Sequence, residues 1–302
     1  MTADPQRQSQ PRPQPSQASP SRRGATAFAA LHRAGEPLLL PNAWDHASAR
    51  ALAGQGFRAI GTTSLGVAAA AGLPDGAAAT REETLRLAVT LGSGPFLLSV
   101  DAEGGFSDDP GEVAEFAREL YAAGAVGINL EDGPGPAARH AAKIAAVKQA
   151  APGLFVNART DTHWLGDGDG TLTRLDAYQQ AGADGVFVPG LTDPRGIETL
   201  VRHLEVPLNV LYAPGGPTLA RLADAGVRRV SLGSLLYRRA LGAALEAVAD
   251  IRADLPPKGA TPSYGDVAGL ASPTDAPGRG GQQVAGHSGG SGGRCRGRSA
   301  QS

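Results

Sequence analysis

The chain has 302 residues and a formal net charge of -1, with 28 Lys and Arg against 29 Asp and Glu, so its overall charge favours neither a nucleic acid nor a membrane surface as partner. Hydrophobic residues make up 41% of the sequence and aromatics only 5%, which points to a core of Ala, Val and Leu with helices packed closely on strands. The one cysteine, Cys295, sits in a Gly/Ser/Arg-rich stretch, which argues against a disulfide framework, a cysteine-ligated metal and a buried catalytic thiol and fits a cytoplasmic enzyme.

Residues 1–23 are Gln, Pro and Ser with scattered Arg and lack the apolar run of a secretory signal, so a disordered extension is expected. No stretch is long and apolar enough for a spanning helix. A helix over 26–33 is expected to cover the bottom of the fold. Eight short apolar runs follow, at 37–41, 59–62, 96–100, 127–130, 155–158, 185–188, 208–211 and 229–232. Each precedes a helix-length segment, the alternation that builds a parallel sheet. Gly56, Gly124, Gly182 and Gly226 each fall just before a run, where a helix C-terminus wants a residue that tolerates positive φ. Eight such units close a barrel, so the expectation is the α/β class with a single (β/α)8 barrel over 24–255. From 256 to 302 the sequence turns to Pro, Gly, Ser and Arg without apolar periodicity, and a disordered tail is expected.

In such a barrel the chemistry sits at the carboxyl ends of the strands, and polar residues gather there. Asn42, Trp44 and Asp45 follow the first run, Thr63 and Ser64 the second, and Asp101 and Glu103 the third. Glu131 and Asp132 end the fourth, Arg159 and Asp161 the fifth, and Asn209 and Tyr212 belong to the seventh. Asp75, Asp101, Glu103 and Glu131 would converge on one face, and close carboxylates repel unless a cation lies between them. Oxygen-only ligands suit Mg²⁺, or Mn²⁺, better than Zn²⁺. Asp101 and Glu103 are two apart, so a continuing strand would point both inward. Arg159 is the expected clamp for a substrate carboxylate, while Thr63 and Ser64 are either oxyanion-holding groups or plain cap residues. His46, His140 and His163 have no metal-ligand spacing and read as lone histidines, with His163 the one in the same loop as Arg159. Signatures of phosphate loops, zinc proteases and serine hydrolases are absent from the sequence.

These phrases resemble the isocitrate lyase and phosphoenolpyruvate mutase superfamily over about residues 28–251. The matching stretches are Pro41-Asn42-Ala43-Trp44-Asp45, Gly61-Thr62-Thr63-Ser64, Gly72-Leu73-Pro74-Asp75, Val100-Asp101-Ala102-Glu103-Gly104-Gly105-Phe106, Leu130-Glu131-Asp132-Gly133 and Asn157-Ala158-Arg159-Thr160-Asp161. The resemblance implies a barrel of the phosphoenolpyruvate/pyruvate-binding type. It implies Mg²⁺ held directly or through water by Asp101, Glu103 and Glu131, with Asp75 beside them. Arg159, Thr63 and Ser64 would bind the substrate, with Trp44, Asp45 and Asn209 around it, and Arg159, Thr63, Ser64 and Asp75 would act in catalysis. The implied ligand is a small α-keto or α-hydroxy carboxylate, and a homo-oligomer is plausible. The implied reaction is carbon–carbon lysis or decarboxylation through a metal-stabilised enolate; phosphorus–carbon bond chemistry and a non-catalytic keto-acid-binding barrel are the alternatives. Two departures bear on the reaction. Residues 133–143 contain no cysteine and no lysine before Lys143, where lyases of the family carry an acid loop with a cysteine, and Glu103 stands where many members have Asp.

Overall fold

The computed structural model describes residues 20–166 and 168–271, with side chains from residue 24 onward. The expected tails lie mostly outside these residues, as does Cys295. In chain order the barrel strands are β1 (Leu38–Leu40) with β2 (Asn42–Ala43), β3 (Ala59–Thr62), β4 (Leu97–Asp101), β5 (Ala125–Glu131), β6 (Phe155–Arg159), β7 (Gly185–Val188), β8 (Leu208–Leu211) and β9 (Arg229–Ser231). All pair in parallel, in the order β1-β9-β8-β7-β6-β5-β4-β3-β2. β1 and β2 are two pieces of one barrel strand separated by Pro41, which has no N–H to donate. The first piece pairs with β9 through Leu39↔Val230 and the second with β3 through Asn42↔Gly61, so the ring closes as the eight-unit pattern requires.

The helices are α1 (Pro20–Leu31), α2 (His46–Gly54), α3 (Ser64–Ala71), α4 (Arg81–Leu91), α5 (Pro110–Ala122), α6 (Ala137–Ala150), α7 (Thr171–Gln180), α8 (Pro194–His203), α9 (Leu219–Asp224), α10 (Leu235–Arg252) and α11 (Tyr264–Gly269). Gly56, Gly124, Gly182 and Gly226 all have the positive φ, between 87° and 104°, that ends the preceding helix. Two helices rather than one, α3 and α4, follow β3, and the loop between them carries Asp75. α11 falls inside the stretch expected to be tail, and all its residues are exposed.

Strand alternation divides the core. Residues such as Ile60, Leu98, Val100, Ile128, Leu130, Val156 and Val210 face the helices and form the main cluster with Val113, Phe116, Leu120, Ile144 and Leu175. Each such fully buried aliphatic side chain contributes about 1.5–3 kcal/mol. Inside the barrel the bottom is closed by Phe28 of α1, packed with Leu40, Ala59, Val126 and Phe155. Gly127 makes room for that plug, because a Cβ there would lie 2.8 Å from the Phe28 ring. Above the plug the interior turns polar, and buried Ser99, Asn129, Asn157, Asn209, Arg229 and Ser231 fill it. That change in polarity marks the end of the barrel where the site lies.

Candidate active site

A cavity of about 250 Å³ opens at the carboxyl ends of the strands. It is lined by Asn42, Thr63, Ser64, Leu65, Asp75, Asp101, Asn129, Arg159, Trp164, Phe187, Pro189, Leu211, Ser231, Gly233 and Ser234. Asp101, Glu131 and Arg159 are the last residues of β4, β5 and β6 rather than the first loop residues, so the sheet itself fixes their backbones. Glu131 and Arg159 stand opposite each other in register.

The guanidinium of Arg159 is held from two sides: Nη1 lies 2.8 Å from Glu131 Oε2 and Nε donates to Asp161 Oδ1 at 2.6 Å. Asp161 is in turn anchored by buried Asp132, which accepts from the Asp161 N–H at 3.0 Å, Thr160 Oγ1 at 2.8 Å, Arg174 Nη1 at 2.9 Å and the Tyr178 hydroxyl at 2.6 Å. Asp132, at the end of the fourth run, thus braces the Arg159 loop from outside the cavity. Burial works against the Arg159 charge, but Glu131, Asp161 and Asp101 outweigh it and hold its pKa above the ordinary value.

The acids face the opposite balance. Burial raises the Asp101 carboxyl, against the pull of Arg159 and the hydrogen bonds from Ser64. Glu131 is pushed up to about 8, by burial first and then by Asp101, Asp161 and Glu103, with Arg159 opposing. Glu103 is raised by burial, with Asp75 and Asp101 adding to it. Asp75 and Asp101 thus act on Glu103, and Asp101 and Glu103 act on Glu131, as like charges near one another do.

They do not converge in one geometry. β4 stops at Asp101, and Glu103 takes a φ of +47° that an L residue rarely adopts. Its carboxylate accepts from Thr80 Oγ1 at 2.6 Å and the Ala78 N–H at 3.2 Å, which ties the 72–80 loop to the strand end. Glu103 and Glu131 line a neighbouring cavity with Lys143 rather than the one holding Asp75 and Asp101. Among the described residues no three His, Cys, Asp or Glu side chains stand close enough to form a shared metal cluster. The donor set nevertheless fits Mg²⁺, which keeps several waters and takes only one or two carboxylates directly. Asp101, with Asp75 on the same cavity wall, is the direct donor that such a site offers, and Glu103 and Glu131 are within reach of its field.

The start of α3 adjoins Asp101. The Ser64 N–H donates to Asp101 Oδ2 at 3.2 Å, Asp101 N–H donates to Thr62 Oγ1 at 2.9 Å, and Thr63 makes no side-chain cap bond. The Thr63 hydroxyl and the first-turn amides beyond Ser64, at a helix N-terminus, favour an anion. Gly66 sets that helix start in place: a Cβ would come within 2.8 Å of Thr63 and 2.9 Å of Trp44.

Other residues singled out in the sequence lie elsewhere. Trp44 packs edge-on against Tyr237, with ring centroids 5.4 Å apart, and Asp45 caps α2 by accepting from the Ser48 N–H at 2.7 Å. Neither lines the cavity. Asn209 is buried below it, with its amide 3.0 Å from Ser231 Oγ. His140 is buried on α6 against Tyr178, and His163 lines a separate cavity with the start of α7. Asn129, Ser231, Phe187 and Leu211 line the site without having been singled out. For Asn129 the signal was there, since it stands two residues before Glu131 and so on the same face of β5. A larger cavity of about 570 Å³ lies at the amino ends of the strands, lined by His32, Phe155, Pro207 and Arg228, away from these strand-end groups.

Comparison with known proteins matches residues 28–252 to the family model for phosphoenolpyruvate phosphomutase. An uncharacterized protein of Mycobacterium tuberculosis is 46% identical over 228 residues, covering 73% of this chain and 87% of its own. The 2-methylisocitrate lyase of Bacillus subtilis is 32% identical, over 66% of this chain and 71% of its own. The oxaloacetate decarboxylase of Pseudomonas aeruginosa is 33% identical, over 69% and 78% respectively.

Proposed function

Since the chain belongs to the isocitrate lyase and phosphoenolpyruvate mutase superfamily, we propose that it is a Mg²⁺-dependent carbon–carbon lyase or decarboxylase acting on a small 2-oxo or 2-hydroxy dicarboxylate. One observation carries the reading: Arg159, the α3 N-terminus with Thr63 and Ser64, and the acids Asp75 and Asp101 face one small cavity at the strand ends. The residues that would hold the cation are Asp101, with Asp75, Glu103 and Glu131 around it; Mn²⁺ would serve as well. When bound, the cation supplies Lewis-acid polarisation of the substrate's 2-oxo group.

The protein groups do the rest. Arg159, immobilised by Glu131 and Asp161, keeps Nη2 for a substrate carboxylate. The Thr63 hydroxyl and the α3 amides face the remaining oxygens, while Ser64 holds Asp101. Phe187, Leu211 and Pro189 keep that wall apolar, which strengthens each polar contact. In a decarboxylation the bond from the methylene carbon to the distal carboxylate breaks, CO₂ leaves, and its electron pair forms the enolate. Water then protonates the methylene carbon. Such a reaction needs no acid from the 133–143 segment, where the family's lyases carry a cysteine, and this favours oxaloacetate over isocitrate or 2-methylisocitrate. The phosphorus–carbon alternative has less support, because among the described residues Arg159 is the one basic side chain lining the cavity and Arg139 lines a separate one.

The reading places the working unit at residues 24–255 in a cytoplasmic protein. No helix among the described residues is long and apolar enough to cross a membrane. It includes self-association through α10, whose 18 residues have none buried and which shows Leu241, Leu245, Val248 and Ile251 to solvent on one stripe. Calorimetric titration with oxalate, an analogue of the enolate, tests the site. Binding should require Mg²⁺, vanish with EDTA and vanish in Asp101→Ala. Equally tight binding by the metal-free protein or by Asp101→Ala would remove the metal from the account.

A further inference from the structure

Arg229 lies inside the barrel, 1% exposed, where an arginine has no obvious reason to be. It forms no ion pair with any acid among the described residues. Nε donates to Ser231 Oγ at 3.1 Å and Nη2 to Asn129 Oδ1 at 3.1 Å, while Nη1 is buried without a partner. A buried charge with neutral partners only is costly, and a hydrophobic side chain of similar size would avoid that cost. Its two partners are the residues that carry the interior polar network up to the cavity, since Asn129 and Ser231 both line it.

The contact fixes which way Asn129 points. Arginine has donors and no acceptor, so the Asn129 atom facing it must be the carbonyl oxygen. That oxygen also accepts from Asn157 Nδ2 at 2.8 Å, which fills both its lone pairs. The NH₂ end is left as a donor on the cavity side.

We propose that Arg229 is a positioning and specificity-determining residue, which from beneath the cavity orients the Asn129 amide toward the ligand and makes the floor electropositive, favouring a dianionic oxygen ligand. The proposal rests on the cavity being the carboxylate site described above. A bound dianion would offset the cation, and the acids on the walls do so only in part.

The test compares oxalate, a dianion, with glyoxylate, a monoanion, by calorimetry in MgCl₂. Arg229→Met should weaken oxalate about tenfold or more and glyoxylate by less than about threefold, as loss of a charge-assisted contact predicts. Its thermal midpoint should hold or rise, because an unpaired buried charge has been removed. Arg229→Lys, which restores the charge without the fork, should recover part of the preference for oxalate. Equal weakening of both ligands with a lower midpoint would mean a structural role only, and unchanged oxalate affinity would also overturn the proposal. Should Arg229→Met fail to fold, the side-chain NH₂ resonance of Asn129 in the wild type decides: it should shift on oxalate addition, and an unmoved resonance overturns the proposal. Absence of oxalate binding by the wild type would instead take down the carboxylate site itself, and this inference with it.

Discussion

In the proposed reaction, ligand recognition turns on Arg159. Its planar fork is shared between Glu131, Asp161 and the cavity, so Arg159→Lys keeps a charge but loses the geometry. Oxalate affinity in Mg²⁺ should fall by about 1.5–3 kcal/mol while the unfolding midpoint stays within a few degrees; unaltered affinity, read by calorimetry, would place the carboxylate elsewhere. The residues at strand ends were legible because a polar residue after an apolar run is conspicuous in a barrel sequence: Asp101, Glu131 and Arg159 were found that way. Arg229 and Ser231 were not, because they lie within a run, where a buried apolar side chain is the default expectation; Asn129 also lies within one, and only its spacing from Glu131 marks it. Glu103 shows the other failure. Its spacing from Asp101 suggested a shared face, but the strand ends first and a positive φ turns its carboxylate onto Thr80 and Ala78.

Among the elements, the strands were legible from apolar runs punctuated by glycines, and the observed boundaries differ mainly by extension: β5 starts at Ala125, and β4 and β6 take in Asp101 and Arg159. The split of the first strand at Pro41 and the second helix after β3 were not read from the pattern, since neither interrupts the alternation. α10 is the element whose apolar stripe finds no partner among the described residues. Leu241, Leu245 and Val248 recur at the spacing of one helix face and are each at least half exposed. The double variant Leu241→Glu with Val248→Glu should therefore lower the oligomeric mass measured by light scattering without unfolding the barrel. A wild type that is already monomeric at micromolar concentration would contradict this role for α10.

At the scale of the whole molecule, two buried histidines tie stability to pH. Burial, and next the charge of Arg229, lowers His32 to about 3, and burial lowers His140 to about 4 against the opposing pull of Asp132. Both stay neutral in the fold while the unfolded chain takes up protons below about pH 6.5. Their contribution is complete above that pH and is lost as the pH falls toward 4 for His140 and 3 for His32. Urea unfolding at pH 7 and pH 5 should show the wild type losing about 2 kcal/mol more than His32→Phe over that interval; equal losses would mean that His32 is not held neutral. The central claim is chemical, and oxaloacetate turnover tests it most directly. Pyruvate release by the purified protein should be accelerated in Mg²⁺ above the spontaneous rate, abolished by EDTA and absent in Asp101→Ala, with 2-methylisocitrate and isocitrate cleaved poorly because the 133–143 segment holds no cysteine. Rapid Mg²⁺-dependent cleavage of either of those acids, with oxaloacetate left at its spontaneous rate, would contradict the account.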